Sequence, residues 1–197
     1  EGYDTVTLTV SATGNTISDN TITDSSSYGI YISSSSNNTI SGNTVNDNRI
    51  GIALYSSSND NNISGNTAAG NSNNGISISD SSGNTISENI ANGNSLSGIA
   101  LFSSSTGNSI FGNSATGNFW TGIATLSSSG NAIYLNTFDN IDNAYSDSVN
   151  YWNSTTPLTC DHNGRTLTGL LGNIWSDYNG CDCDGDGIGD IPYARIV

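Results

Sequence analysis

The chain has 197 residues, 3 basic and 17 acidic, giving a formal charge of −14, yet only 10% of its residues are charged. This balance excludes a nucleic-acid partner, because Arg49, Arg165 and Arg195 cannot replace the counterions around phosphate. No stretch is apolar for long enough to cross a bilayer as a helix.

Polarity comes instead from Asn, Ser, Thr and Gly, and the chain contains no Met. Such a mixture resembles a disordered tract until its order is inspected. At the start, Thr5-Val6-Thr7-Leu8-Thr9-Val10 alternates polar and apolar residues, the pattern of a half-buried strand. With no Met start and no apolar signal-type segment, the chain is expected to begin after processing.

From residue 13 a repeat takes over. Asn15-x-Ile17-x-x-Asn20 recurs at Asn38/Ile40/Asn43, Asn61/Ile63/Asn66, Asn84/Ile86/Asn89, Asn108/Ile110/Asn113 and Asn131/Ile133/Asn136. The successive Ile positions lie 23, 23, 23, 24 and 23 residues apart. Gly-Ile pairs fall between them at Gly29, Gly51, Gly75, Gly98 and Gly122. A register this strict is the signature of a solenoid, in which no unit buries its apolar face alone.

Each period holds three short apolar stretches. The first is the Ile of Asn-x-Ile, and five residues on comes the column Ile22, Val45, Ala68, Ala91, Ala115, Phe138. The third alternates, as in Ile30/Ile32, Ile52/Leu54, Ile76/Ile78 and Ile99/Leu101, before becoming less regular at Ile123 and Thr125-Leu126. This spacing is that of strands and not of helices. The expected fold is therefore all-β: a right-handed parallel β-helix with about 23 residues and three short strands per turn, coils stacking about 4.8 Å apart. Ile would sit over Ile inside, each fully buried one contributing about 1.5–3 kcal/mol. The two Asn columns become corner ladders, since stacked amides can bond one another and Asn tolerates a left-handed backbone. Ser runs at 33–36, 56–58, 103–105 and 127–129 are expected to form a solvated flank. Tyr28, Tyr31, Tyr55, Phe102, Phe119 and Trp120 are outward aromatics suited to sugars or neighbouring subunits.

Beyond Phe138 the register loosens, and a last partial turn is expected through Ala144-Tyr145 to Tyr151-Trp152-Asn153. Residues 155–171 read as an insertion before Gly172-Asn173-Ile174-Trp175-Ser176-Asp177-Tyr178. There follows an acidic run in which Asp182, Asp184, Asp186 and Asp190 take loop positions 1, 3, 5 and 9, with Gly187 at 6 and the Ile188 carbonyl at 7. Dense oxygen donors and a turn-forming Gly suit a hard cation, so calcium is the expected cofactor. The loop lacks the bidentate Glu of an EF-hand at position 12, where Tyr193 stands, and Asp177 is a candidate replacement. Cys160, Cys181 and Cys183 are disulfide candidates; pairing two leaves one for an intermolecular bond. Asn37, Asn62 and Asn153 stand in N-glycosylation sequons.

The repeats together with this ending resemble the NosD-like parallel β-helix proteins of archaeal cell surfaces, over nearly all of the chain beyond residue 13. The family is named for a protein of copper-site maturation, so the resemblance implies copper. Soft-metal chemistry wants Met, Cys and His, and here there is no Met and one His, His162, so copper handling is not expected. The resemblance also implies an extracellular, cell-surface setting and comparison with surface-layer and sheath proteins.

No catalytic residues emerge. Arg49 is the one base within the repeats, and Asp19, Asp24, Asp47, Asp60, Asp80 and Glu88 look scattered, without the paired carboxylates that glycoside hydrolysis requires. The expectation is a non-enzymatic, self-associating structural protein of a surface layer, sheath or fibre. It would form a homopolymer through open edges and could contact cell-surface polysaccharide. The alternative is a carbohydrate-binding or carbohydrate-processing β-helix module. Its organisation would be an N-terminal strand at 1–12, the solenoid at 13–153 and a Cys-containing calcium-loop segment at 154–197.

Overall fold

The computed structural model of the chain describes residues 5–9, 11–162 and 165–178. Those residues form an all-β parallel solenoid of about six turns, and no helix occurs among them. Sheet A has seven strands: Val6–Thr9, Tyr28–Ser33, Ile50–Tyr55, Ile76–Ser79, Ser97–Phe102, Thr121–Thr125 and Asp142–Ser146. Sheet B stacks six short strands, from Thr16–Ser18 to Ala132–Tyr134. Sheet C runs from Thr21–Thr23 and Thr44–Asn46, through single bridges at Thr67 and Ile90, to Ser114–Thr116, Thr137–Asp139 and Ile174–Trp175.

Register follows the repeat. Ile17, Ile40, Ile63, Ile86, Ile110 and Ile133 pair in sequence along sheet B and are all buried. In sheet A, Ile30, Ile52, Ile76, Ile99 and Ile123 stack likewise, and Thr125 takes the inner place that Leu101 holds one turn earlier. Thr125 is tolerated there because its hydroxyl donates to Ser146 Oγ at 2.7 Å, so the buried polar group is satisfied.

Sheet A also contains a regular bulge. The N–H groups of Gly51 and Ile52, adjacent in sequence, both donate to the next turn, to Asn74 O at 3.1 Å and Gly75 O at 2.9 Å. Two successive donors on one side put both residues on the inner face. A side chain at the Gly position would therefore enter the core: a Cβ on Gly98 would lie 2.7 Å from Ala115 Cβ and 2.8 Å from Asn118 Nδ2. Hence Gly recurs there and small residues recur opposite it.

The corners obey one rule. From Asn15 to Asn136 each ladder residue is preceded by a residue with positive φ: Gly42 before Asn43, Gly65 before Asn66, Gly112 before Asn113, Asp60 before Asn61, Asp47 before Asn48, Ser57 before Ser58. This sharp reversal aims the following side chain inward, where the ladder forms. Asn66 shows the pattern. Its Oδ1 accepts from Asn43 N (3.0 Å) and Asn43 Nδ2 (2.9 Å), and its Nδ2 donates to Asn89 Oδ1, Ile40 O and Ser64 O (3.0, 2.9 and 3.2 Å). Both expected Asn columns, through Asn20 and through Asn15, are bonded in this way.

Asn113 tests the column where the repeat lengthens, since it stands 24 residues after Asn89. The ladder is unbroken there. Asn113 Oδ1 accepts from Asn89 N and Nδ2 at 2.9 and 3.0 Å, and its Nδ2 donates to Asn136 Oδ1, Ile86 O and Phe111 O. The extra residue is taken up earlier, at the corner after sheet A. Phe102 still pairs with Ser79 in the 23-residue register, whereas Ser105 bonds Ser81 across 24 residues. Between them Ser103 and Ser104 both have positive φ, which loops out one residue without disturbing the columns on either side.

Two further ladders are not anticipated by the motif. Asn48, Asn71, Asn94, Asn118 and Asn140 form a third Asn column beside the bulge, beginning under Ser25 N. The Ser runs are not merely a solvated flank: Ser35, Ser58, Ser81, Ser105 and Ser128 are buried at the fourth corner. Each of the last four accepts, at its hydroxyl, the N–H of the Ser one turn before, as Ser58 does from Ser35 at 3.3 Å, and several donate to a nearby carbonyl. Ser is preferred at this corner because its short side chain closes the bond within the turn.

The C-terminal end is closed by aromatics. Trp152 follows Tyr151, which bridges to Ala132, and Trp175 pairs with the fully buried Phe138, their rings 4.9 Å apart. Both Trp side chains pack on the core, 5.8 Å from each other. Between them the insertion leaves through a neck made by Ser154 and Leu171, which bond reciprocally at 2.9 and 3.0 Å. It forms an antiparallel hairpin of Leu158–His162 and Arg165–Gly169. Asn173 then resumes the ladder beneath Asn136.

Candidate functional site: the outer face of sheet A

Along sheet A the inward Ile and Leu alternate with a small outward column of Ala53, Ser77, Ala100 and Ala124. Tyr31 stands in register above this column and Tyr145 below it, five rungs apart, or about 24 Å. Although they point away from the core, Ala53, Ala100 and Ala124 are 0% exposed. The aromatic side chains account for this at the upper end. Tyr28 stacks on Tyr31 at 4.6 Å, and both meet Tyr55 edge-on at 5.8 Å. Tyr55 reaches across to the next turn, its hydroxyl 3.1 Å from that of Ser77. The three rings thus form one cluster over the upper end of the small column. Burial raises the Tyr55 phenol above its ordinary pKa, against the hydrogen bond from Ser77, so it stays neutral in the physiological range.

At the lower end Trp120 packs against Tyr145 at 5.6 Å, and Phe119 beside it is 76% exposed. Phe102 lies between the two clusters, half-buried on the same face. A smaller aromatic pair, Phe111 and Tyr134, stacks at 5.2 Å on sheet B. Flat, partly exposed rings on a rigid sheet can pack against the apolar faces of sugar rings, with hydroxyls such as those of the Tyr residues as polar partners.

The acids of the coils have a backbone explanation that their sequence positions do not suggest. Asp19, Asp24, Asp47, Asp60, Asp80 and Glu88 all have positive φ, so each is a corner residue directly before a ladder residue. Far from scattered, all but Asp80 occupy positions that Gly fills in other turns, and Asp80 takes one that Ser57 and Ser104 fill. Asp47 leans over Gly70, where a Cβ would lie 2.8 Å from its Oδ1.

The other candidate residues are dispersed. Asn37 and Asn62 are exposed, at a corner and on a sheet B strand, and Asn153 lies beside Trp152 before the neck. Cys181, Cys183 and the loop Asp182, Asp184, Asp186, Ile188 and Asp190 lie outside the described residues. Cys160 and His162 lie on the hairpin, in register with Leu167 and Arg165. Among the described residues no helix is long and apolar enough to cross a membrane.

The sequence model of the family described as "Periplasmic copper-binding protein (NosD)" matches residues 1–180. The chain belongs to the NosD family. Among curated proteins none matches it. Similar solved structures include three forms of the periplasmic alginate epimerase AlgG. One single-residue variant has 26% identity and a TM-score of 0.60 over 66% of this chain. Another has 24% identity and a TM-score of 0.61 over 86%, and the unsubstituted form 24% and 0.60 over 82%. This NosD-family chain spans only 33–40% of those chains.

Copper does not fit the solenoid of this family member. Soft or borderline copper sites are built from Cys, Met and His, and here there is no Met, one His and three Cys. The His and all three Cys fall at 160–183, in the inserted hairpin and beyond the last strand of sheet C. Among the described residues no three His, Cys, Asp or Glu side chains come together as a metal site.

Proposed function

We propose that the chain is a carbohydrate-binding β-helix module acting outside the cytoplasm, with the outer face of sheet A as its sugar-contacting surface. The observation that carries this reading is the aromatic platform on that face: Tyr28, Tyr31 and Tyr55 at one end, Trp120 and Tyr145 at the other. Rings held over buried Ala and Ser are preorganised, so binding costs little side-chain entropy. Similarity to an alginate epimerase is in keeping with a polysaccharide ligand, and the periplasmic descriptions of that enzyme and of the family are in keeping with the location. Binding suits the site better than turnover. Asp19, Asp24, Asp47, Asp60, Asp80 and Glu88 serve corner geometry at the margins, while the rings occupy the sheet face.

Affinity electrophoresis through polysaccharide-containing gels tests the proposal. The wild type should be retarded by at least one neutral or weakly acidic glycan, and Tyr55→Ala and Trp120→Ala should each restore much of the free mobility. Wild-type mobility unaffected across a broad panel, or variants retarded like the wild type, would overturn it.

Self-association is a second reading, resting on the parallel edges that a stack of solenoid turns presents to further strands. Calcium at 182–190 belongs to either reading as a stabiliser of the C-terminal segment.

A further inference from the structure

We infer that the tyrosine end of the platform, together with Arg49, recognises a single carboxylate on a sugar; this rests on the carbohydrate-binding reading above. Arg49 is the one cation within the solenoid turns of a chain with charge −14 and no Lys. In such a field an arginine is expected to be neutralised by a neighbouring acid. Yet Arg49 is exposed and forms no ion pair among the described residues. Its nearest acids in sequence and stacking are Asp47 and Asp24, both fixed at corners by their left-handed backbone, with Asp47 leaning towards Gly70.

Position gives this free cation a use. Arg49 directly precedes Ile50, whose register partner is Tyr28, and Tyr28 touches both other rings of the triad. Its charge is felt at the Tyr55 phenol. With Arg49 beside the strand position that pairs with Tyr28, its guanidinium fork can present two parallel N–H donors next to the ring cluster. That combination matches a pyranose carrying a carboxylate, which can stack on the rings and accept from the fork. The surrounding acidity sets the other limit. A polyuronate would meet repulsion from the acids at the flanking corners, so the fitting ligand is an otherwise neutral oligosaccharide with one uronate residue.

Calorimetric titration compares a neutral glucose tetrasaccharide with the same tetramer ending in one glucuronate, against wild type, Arg49→Gln, Arg49→Lys and Trp120→Ala. Wild type should bind the glucuronate form about fivefold more tightly, the scale of an exposed ion pair. The preference should vanish in Arg49→Gln, persist in part in Arg49→Lys, survive in Trp120→Ala with weaker binding of both sugars, and fade at about 0.5 M salt. Because Arg49 is exposed, Arg49→Gln should melt like the wild type, which separates lost recognition from lost fold. Equal affinities of the wild type for the two tetramers, or a preference that persists in Arg49→Gln, would overturn this inference and leave carbohydrate binding standing. Binding of neither tetramer would count against both.

Discussion

Replacing Asn66 by Leu isolates what a corner ladder contributes. The substitution removes five side-chain hydrogen bonds, four to the turns before and after Asn66 and one to Ser64 in its own turn. Most broken bonds have alternative partners: Asn43 Nδ2 still donates to Ile17 O, and Asn89 Oδ1 still accepts from Asn66 N. Two groups lose more. The buried Asn43 N–H loses the acceptor it uses at 3.0 Å, and the Ile40 carbonyl loses a donor at 2.9 Å. An orphaned buried N–H costs about 1–3 kcal/mol and a carbonyl at the lower end of that range. Allowing for a branched side chain in an amide-shaped site, the total is about 3–5 kcal/mol. For a chain of this length that is a fall of roughly 10 °C in Tm. Ser57→Ala, exposed at the neighbouring corner, should stay within about 0.5 kcal/mol. Asn20→Leu, in the exposed first turn, should fall between the two. Thermal melts by far-ultraviolet circular dichroism read all three, and equal shifts for Asn66→Leu and Ser57→Ala would refute the ladder argument.

Other perturbations probe separate features. Gly98→Ala should cost about 2–3 kcal/mol because its Cβ meets core and backbone, whereas Gly93→Ala, at φ 64 with open space around it, should cost only about 1 kcal/mol of left-handed strain; denaturant midpoints distinguish them. Asp147 accepts from Ser127 N at 2.6 Å and Ser148 Oγ at 2.8 Å, and these bonds, the backbone one foremost, hold its carboxyl below the ordinary 3.8. Its stabilisation is thus present above that value and lost as pH falls through the lowered one, so the Tm gap between wild type and Asp147→Asn should be full at neutral pH and close only on acidification below the ordinary carboxyl range. Asp184→Ala with Asp186→Ala should abolish any rise in Tm caused by calcium at about 10⁻⁴–10⁻³ M; a wild-type melt indifferent to calcium and chelator would remove the basis for a stabilising ion.

Legibility in the sequence divides along a physical line. The Ile columns and two Asn ladders are readable because one motif, Asn-x-Ile-x-x-Asn, carries an inward apolar residue and a corner amide at fixed offset. That offset holds even at Asn113, because the extra residue of its turn is inserted outside the motif. The third Asn ladder sits near no such Ile, so the motif does not reveal it. Its signal is nonetheless present in Asp47-Asn48, Gly70-Asn71, Gly93-Asn94 and Gly117-Asn118, each a left-handed residue followed by the amide it aims inward. The same rule accounts for Ser57 before Ser58, for Ser127 before Ser128, and for acids whose positions look random. Ser defeats composition-based reading because one residue type serves both roles here: Ser57 faces solvent while Ser58, next to it, is fully buried.

What a solenoid repeats is what it needs in order to stack, so function is sought where the repeat is broken. On the outer face of sheet A the repeat asks only for something small: Ala53, Ser77, Ala100 and Ala124 answer it, and any of these would serve every turn. Tyr31 and Tyr145 break that column at its two ends, Tyr55 and Phe102 break the next one, and Arg49 and Trp120 stand directly before the outward positions Ile50 and Thr121. None of these side chains belongs to the Asn or Ser ladders, and the small residues between them leave room beside the rings. Stacking alone would be served as well by Ser or Thr at each site, at lower cost in exposed apolar area. Sheet B departs from its Ser column only at Phe111 and Tyr134, whereas sheet A gathers more rings and the one solenoid cation, which is the reason to propose the sugar-contacting role for this face.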